Sequence, residues 1–220
     1  WKDLEPILGE YHRAHGEFLL AGMPFSEAWP RISQLVDGIH EGAQRIKKIV
    51  QSLRDFARRD PGDLSREVDP NAVVDSAVTL VRHLLEKSTD RFSASADPGV
   101  PRIRGSFQQL EQVTVNLLTN ACDALPSRDR AIRVSTRLDR QSERVLLEVA
   151  DEGTGISAEN RMRIFDPFFT TKQDRGGTGL GLSISYAIVR NHGGELTLVS
   201  EEGRGTVATV SLPLAGAHPS

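Results

Sequence analysis

Residues 106–156 read SFQQLEQVTVNLLTNACDALPSRDRAIRVSTRLDRQSERVLLEVADEGTGI, and the patterning of this stretch decides the fold. Ser106 followed by Gln109 has the spacing of a capping box, so the spacing predicts a long helix over 106–125. Two β-branched runs, 132–138 and 144–149, flank a polar turn and predict a pair of strands. Upstream, Asp69-Pro70-Asn71 predicts a helix start running to about Ser88, with a short strand at 91–96. Downstream, a helix over 179–191 ends at Gly193-Gly194, and 195–200 with 206–212 predict a hairpin around Glu202-Gly203-Arg204-Gly205. Strands arriving in pairs, with helices between the pairs, indicate an α+β chain. The expected form is a two-layer α/β sandwich with a mixed, mostly antiparallel sheet, preceded by a helical hairpin segment.

The first thirty residues mix short helical patches with the breakers Gly16, Gly22, Pro24 and Pro30, which predicts a helix, a loop and a turn. From residue 31 the pattern changes. Ile32, Leu35, Val36, Ile39, Ala43, Ile46, Val50, Leu53 and Ala57 recur every three or four residues and predict a helix over 31–59. Asp60-Pro61-Gly62 terminates it and divides the chain into 1–60 and 61–220. The stripe fits an ordinary core helix and one half of a hairpin that pairs with a second copy equally well.

A formal net charge of -3 argues against a polyanion-binding surface, so no nucleic-acid partner is expected. Cys122 is the sole cysteine, which excludes an intrachain disulfide and favours a reducing, cytoplasmic setting. No apolar run approaches the length of a membrane span, so this stretch is expected to make no membrane contact, although a longer parent could be anchored. The start at Trp1, without an initiator methionine, is expected of a fragment.

Four clusters carry chemistry. Asn116 and Asn120 are four apart on a predicted helix, so their amides share a face where an oxygen can ligate Mg²⁺ and an N–H can hold phosphate. Asp151-Glu152-Gly153-Thr154-Gly155-Ile156 follows an apolar strand. A carboxylate there can accept from the exocyclic amine of adenine while the glycines admit close approach, and a bare tight turn is equally compatible. Ile164-Phe165-Asp166-Pro167-Phe168-Phe169-Thr170-Thr171-Lys172 reads as the anchor of a flap with its tip at 173–177, or as plain core packing. In Gly176-Gly177-Thr178-Gly179-Leu180-Gly181-Leu182 the glycines stand at a helix entrance, where free N–H groups favour phosphate.

The order of these clusters resembles the superfamily of type II topoisomerases, heat-shock chaperones, mismatch-repair ATPases and histidine kinases, over residues 68–214. The resemblance implies the Bergerat-type ATP-binding fold with ATP and Mg²⁺ as cofactors. It implies Asn120 as Mg²⁺ ligand, Asp151 as adenine acceptor, Thr206 as its support, and Gly177, Gly179 and Gly181 as lid hinge and phosphate contacts. Asn116, Asp123, Gly153, Gly155, Ile156, Lys172, Thr178, Leu180 and Leu182 complete the expected nucleotide site.

Relatives that hydrolyse ATP carry a glutamate four residues before the metal-binding asparagine. Here that residue is Asn116, whose amide has no useful basicity, so transfer is favoured over hydrolysis and Asn116 and Lys172 are the expected catalytic groups. FDPFFTTK (165–172) and GTGLGLSISYAIVRNHGG (177–194) resemble bacterial histidine kinases of the nitrogen-regulator and multisensor classes. That implies a response-regulator receiver domain as partner and a homodimer through the hairpin. The family's acceptor is a His followed by an acidic residue and, shortly after, Pro. His12, His15 and His40 do not fit, so the acceptor is expected upstream of Trp1. His192 is expected to cap a helix end as a positive ring, and Glu111 to be a surface residue. A serine kinase of the same fold and a nucleotide-gated interaction module are the alternatives.

Overall fold

The computed structural model describes residues 3–57, 63–172 and 177–215, without the side chains at 45, 48, 49 and 51–57. The terminator Asp60-Pro61-Gly62 and residues 173–176 of the flap therefore lie outside the described residues. The chain divides into two compact units, Trp1–Gln51 and Ser52–Ser220.

In the first unit α1 (Leu4–His15) ends where Gly16, at φ 77°, returns its N–H to the His12 carbonyl. β1 (Leu19–Leu20) and β2 (Met23–Pro24) pair antiparallel around Ala21 and Gly22, whose φ values of 53° and 81° supply the left-handed backbone of a two-residue hairpin. Then α2 (Phe25–Ala57) runs for 33 residues, starting six residues before the predicted 31 and passing through Pro30. The proline removes one helical N–H, yet Phe25, Ala28 and Trp29 are buried. Phe25 stacks on Phe18 and Trp29 at 4.8 and 5.9 Å, and burying each large ring contributes about 2 kcal/mol, enough to hold that first turn helical. Glu17 accepts from the Ser26 N–H at 3.0 Å, which fastens the helix start and keeps this carboxyl below its ordinary range. Leu35, Ile39, Ile46 and Val50 remain 58–65% exposed, so as far as Val50 the predicted stripe is present and the described residues leave it uncovered, while the side chains of Leu53 and Ala57 lie outside those described.

The second unit contains β3 (Glu67–Val68), α3 (Pro70–Ser88), β4 (Arg91–Ala96), β5 (Ile103–Arg104), α4 (Phe107–Ala124), β6 (Ala131–Asp139) and β7 (Arg144–Asp151). There follow α5 (Ala158–Arg161), α6 (Gly181–Asn191), β8 (Glu195–Glu201) and β9 (Gly205–Pro213). The main sheet has the order β4-β6-β7-β9-β8, with β4 parallel to β6 and every other pair antiparallel; β3 and β5 form a separate two-stranded ladder. The parallel pair requires a crossover, and α4 lies within it. α4 packs between α3 and α6 and against β7, burying Leu110, Val113, Thr114, Leu117, Leu118, Ala121 and Cys122. The opposite edge of the same helix presents Asn116 and Asn120. The two-layer α/β sandwich is thus as expected, and α3 and β4 occupy their predicted spans.

His192 corrects the expectation of a charged cap. Its ring is buried, Nδ1 lies 2.8 Å from the Ile188 carbonyl, and Nε2 accepts the Ser106 N–H at 3.0 Å. One nitrogen must carry hydrogen and the other a lone pair, so the ring is neutral, and burial pushes its pKa below the ordinary 6.5. The bond joins the end of α6 to the N-cap of α4, whose Ser106 hydroxyl accepts from the Gln109 N–H. Gly105 carries no side chain because one would collide with this imidazole, 2.8 Å from Nε2. Glu111 is also more than a surface residue: it accepts from the Ser76 hydroxyl and ties α3 to α4.

Candidate functional site

The ends of α4 and β7, the 153–157 loop, the 164–172 segment and the start of α6 surround a cleft of about 950 Å³. Asn116, Asn120, Asp123, Asp151, Gly155, Ile156, Lys172, Gly177, Thr178, Gly179, Gly181, Leu182 and Thr206 all line it. Two expected residues do not. Leu180 is 1% exposed and packed in the core, because its side chain starts the apolar face of α6. Gly153 is buried behind Asp151, where a Cβ would lie 2.6 Å from Oδ1 and 2.8 Å from the Ala124 carbonyl.

At one end of the cleft Asp151 closes β7. Its Oδ1 accepts from the Gly153 N–H at 2.8 Å. Burial raises the Asp151 pKa above its ordinary range, opposed by the Gly153 and Thr206 backbone N–H groups. Thr206 sits opposite Asp151 in the β7–β9 register, while its hydroxyl faces Ser200 Oγ at 2.9 Å. Ser200 was not anticipated. Buried on β8, it accepts from Ile156 N–H at 2.8 Å and donates to the Gly205 carbonyl at 2.9 Å, so one hydroxyl clamps the loop to the β8–β9 turn. The inward alternation of Leu196, Leu198 and Ser200 is the signal that marks it. Gly155, at φ 67°, lies against the Glu201 carbonyl, a place no Cβ can enter. Thr154 N–H reaches the Ala124 carbonyl at 3.0 Å, tying the loop to the end of α4 as well.

At the other end α6 begins at Gly181 with Leu180 as N-cap and no side chain capping its free N–H groups. An uncapped helix start with its positive dipole end on a cleft suits an anion. Asn116 Nδ2 donates to Ser185 Oγ at 2.9 Å, and its Oδ1 lies against Gly181. Lys172 Nζ stands 3.5 Å from Asp123 Oδ2, a partly exposed pair at the rim. Phe168 N–H donates to the Gly179 carbonyl at 3.0 Å, with both residues at positive φ, so the 164–172 segment and the start of α6 meet at one point. Of the Phe group, Phe165 packs on the core, Phe169 lies under the Arg163 guanidinium, and Phe168 is exposed, so core packing accounts for Phe165 and not for Phe168.

Among the described residues the acidic side chains lining the cleft are Asp123, Asp151 and Glu202, and none of these stands at Asn116. Residues 105–216 match the family described as histidine kinase-, DNA gyrase B- and HSP90-like ATPases. The chain belongs to that family. Within this ATPase family its relatives are sensor kinases. A sensor protein of Shewanella frigidimarina is 35% identical over 214 residues, 97% of this chain and 32% of that protein. The two-component sensor PprA of Pseudomonas aeruginosa is 39% identical over 175 residues, 78% of this chain and 19% of its own length. The catalytic domain of histidine kinase ThkA superposes with a TM-score of 0.59 at 30% identity, covering 67% of this chain and 96% of that domain. The chain therefore spans a third or less of the length of those two sensor proteins. Residues 105–216 belong to an ATP-binding catalytic domain of the histidine-kinase type, a fold that implies nucleotide binding.

Proposed function

We propose that this chain is the catalytic portion of an ATP-dependent protein-histidine kinase of a two-component system, which transfers the γ-phosphoryl group to a histidine outside these 220 residues. The observation that carries the reading is Asn116. The place a hydrolytic relative fills with a general base holds a neutral amide, bonded to Ser185, at the phosphate end of the cleft. Asp151 accepts the adenine amine, with Thr206 and Ser200 holding its surroundings, and the free N–H groups of α6 face the phosphates. Lys172 exchanges Asp123 for the γ-phosphate when nucleotide enters. An incoming neutral imidazole nitrogen forms the P–N bond as the bond to the β–γ bridging oxygen breaks, leaving ADP.

Mg²⁺ belongs to the same proposal. The side-chain oxygens of Asn120 and Asn116 are hard donors one helical turn apart, a donor set that fits a cation sharing its shell with phosphate and water. Asn120 would hold such a cation, with the Asn116 amide beside it, and the charge it would supply there would offset that of the phosphates.

The exposed stripe on α2 supports assigning residues 1–60 to a partial dimerisation and phosphotransfer region, with 61–220 as the catalytic domain and a second copy covering Leu35, Ile39, Ile46 and Val50. Among the described residues no helix is long and apolar enough to cross a membrane. We place the reaction in the cytoplasm, with a response-regulator receiver domain as the next acceptor. His12 faces Glu17 at 3.5 Å, His15 stacks on Tyr11, and none of His12, His15 and His40 is followed by an acidic residue and then proline; of the three, His40, followed by Glu41, comes nearest to that pattern.

Incubation with γ-labelled ATP tests this, alone and with a separately produced hairpin piece that bears the acceptor histidine. Acid-labile label on that piece is expected. Tight ATP binding without label on it would favour a nucleotide-gated module, and steady phosphate release without the piece would favour an ATPase.

A further inference from the structure

Ser185 has no part in the reading above except as the partner of Asn116, and its placement gives it a function of its own. It lies on α6 one turn after Gly181, is 2% exposed, and its Oγ is 2.9 Å from Asn116 Nδ2. Gly181 and Ser185 therefore occupy the same face of α6, and both face the Asn116 amide. A Cβ at position 181 would lie 3.1 Å from Nδ2 and closer still to Oδ1, so the amide lies against the first turn of the helix with its oxygen foremost. Two features set which end of that amide points where. The uncapped, positive start of α6 attracts the oxygen and repels the NH₂ group. The Ser185 hydroxyl, one turn farther along, supplies the acceptor that the NH₂ group needs once it is turned inward.

We infer that Ser185 is a positioning residue for the cation and phosphate end of the site: by accepting from Asn116 Nδ2 it fixes Oδ1 as the atom presented to Mg²⁺ at the start of α6. The inference rests on the proposed nucleotide function and adds a residue to it. Without that acceptor the partly buried NH₂ group loses its partner, and Oδ1 is no longer held as the atom that faces the cleft. Gly181 serves the same arrangement from the other side, since any larger residue displaces the amide.

The test is a Mg²⁺ titration of the binding of a β,γ-imido ATP analogue, followed by calorimetry, with adenosine binding in the absence of metal measured on the same samples. For Ser185→Ala the apparent Mg²⁺ affinity is expected to fall about tenfold, the factor carried by one hydrogen bond, with adenosine affinity unchanged. Ser185→Thr, which keeps the hydroxyl, is expected to restore the parent response. In an Asn116→Ala background, Ser185→Ala is expected to add nothing. A parent-like Mg²⁺ response in Ser185→Ala overturns the inference, and so does an equal loss of adenosine binding, which marks Ser185 as packing alone. If the parent protein binds the analogue without any Mg²⁺ dependence, the cation reading itself fails and this inference with it. The parent titration thus separates the two failures.

Discussion

Around Asp151 most of the contacts have a backbone group as one partner, whereas around Asn116 side chains meet side chains. At the Asp151 end the loop 153–157 is pinned to Ala124, to Ser200 and to the β8–β9 turn, and Gly155 within it and Gly205 beside it lie against carbonyls of the opposing segment. At the phosphate end Asn116 meets Ser185 and Lys172 meets Asp123 across the cleft. A base is flat and chemically constant through the reaction, so a rigid frame serves it. Phosphate groups change charge and partner during transfer, and pairs of side chains can exchange partners where a backbone frame cannot.

The sharpest way to break that comparison is at Asp151. Asp151→Asn is expected to cost about 2 kcal/mol or more in nucleotide binding, measured as loss of the nucleotide-induced rise in melting temperature. In the nucleotide-free protein it should act in the opposite sense. Burial raises the folded pKa of Asp151, so the folded state binds its proton more tightly than the unfolded state does. That contribution to stability is present below the ordinary carboxylate range and is lost as pH rises through the raised value. Asp151→Asn is therefore expected to melt higher than the parent at neutral pH and to lose less stability between acid and neutral pH. A lower melting temperature for the variant at pH 7 would show that Asp151 is structural and not held ready for a ligand.

Gly155→Ala probes the rigid frame without touching a charge. Strain at φ 67° and collision with the Glu201 carbonyl are expected to destabilise the domain by about 1–3 kcal/mol, measured by denaturant unfolding. If stability holds and only binding falls, the loop is a ligand contact and not a frame.

His192 sharpens the comparison from behind the site. Its folded pKa is lowered, so the unfolded chain takes up the proton first. Its contribution is present above about 6.5 and is lost as pH falls through the folded value. His192→Gln keeps an acceptor for Ser106 and cannot titrate. It should flatten the acid loss of stability in a pH series of melting curves, and an unchanged acid limb would remove His192 as its source.

The smallest effect belongs to Lys172. Its pair with Asp123 is partly exposed, so Lys172→Ala is expected to change stability by less than about 0.5 kcal/mol. Affinity for the triphosphate analogue should fall while that for ADP holds. Equal losses for both nucleotides would move Lys172 from the γ-phosphate to the rest of the ligand.

Much of the catalytic unit was legible because its signals are local. Asp69-Pro70 and Ser106 name their helix starts by capping chemistry, and 132–138 and 144–149 announce strands by β-branching, so α3, α4, β6 and β7 stand where the pattern places them. α2 was misplaced by six residues because Pro30 reads locally as a breaker, and only the stack of Phe18, Phe25 and Trp29 overrides it. β3 and β5, two residues each, carry no periodicity to read and exist only because they pair with one another.

The sequence by itself determined the family and the order of the clusters that carry the resemblance, since both depend on residue type and spacing along the chain. Tertiary structure alone decided the charge of His192, the clamp of Ser200 and the partner of Asn116. Each arises where helices or strands distant in sequence meet: Ser106 with His192, Ile156 with Ser200, Asn116 with Ser185. Whether a ring is neutral, or which way an amide turns, depends on the groups that burial brings within about 3 Å, and no spacing along one segment specifies those.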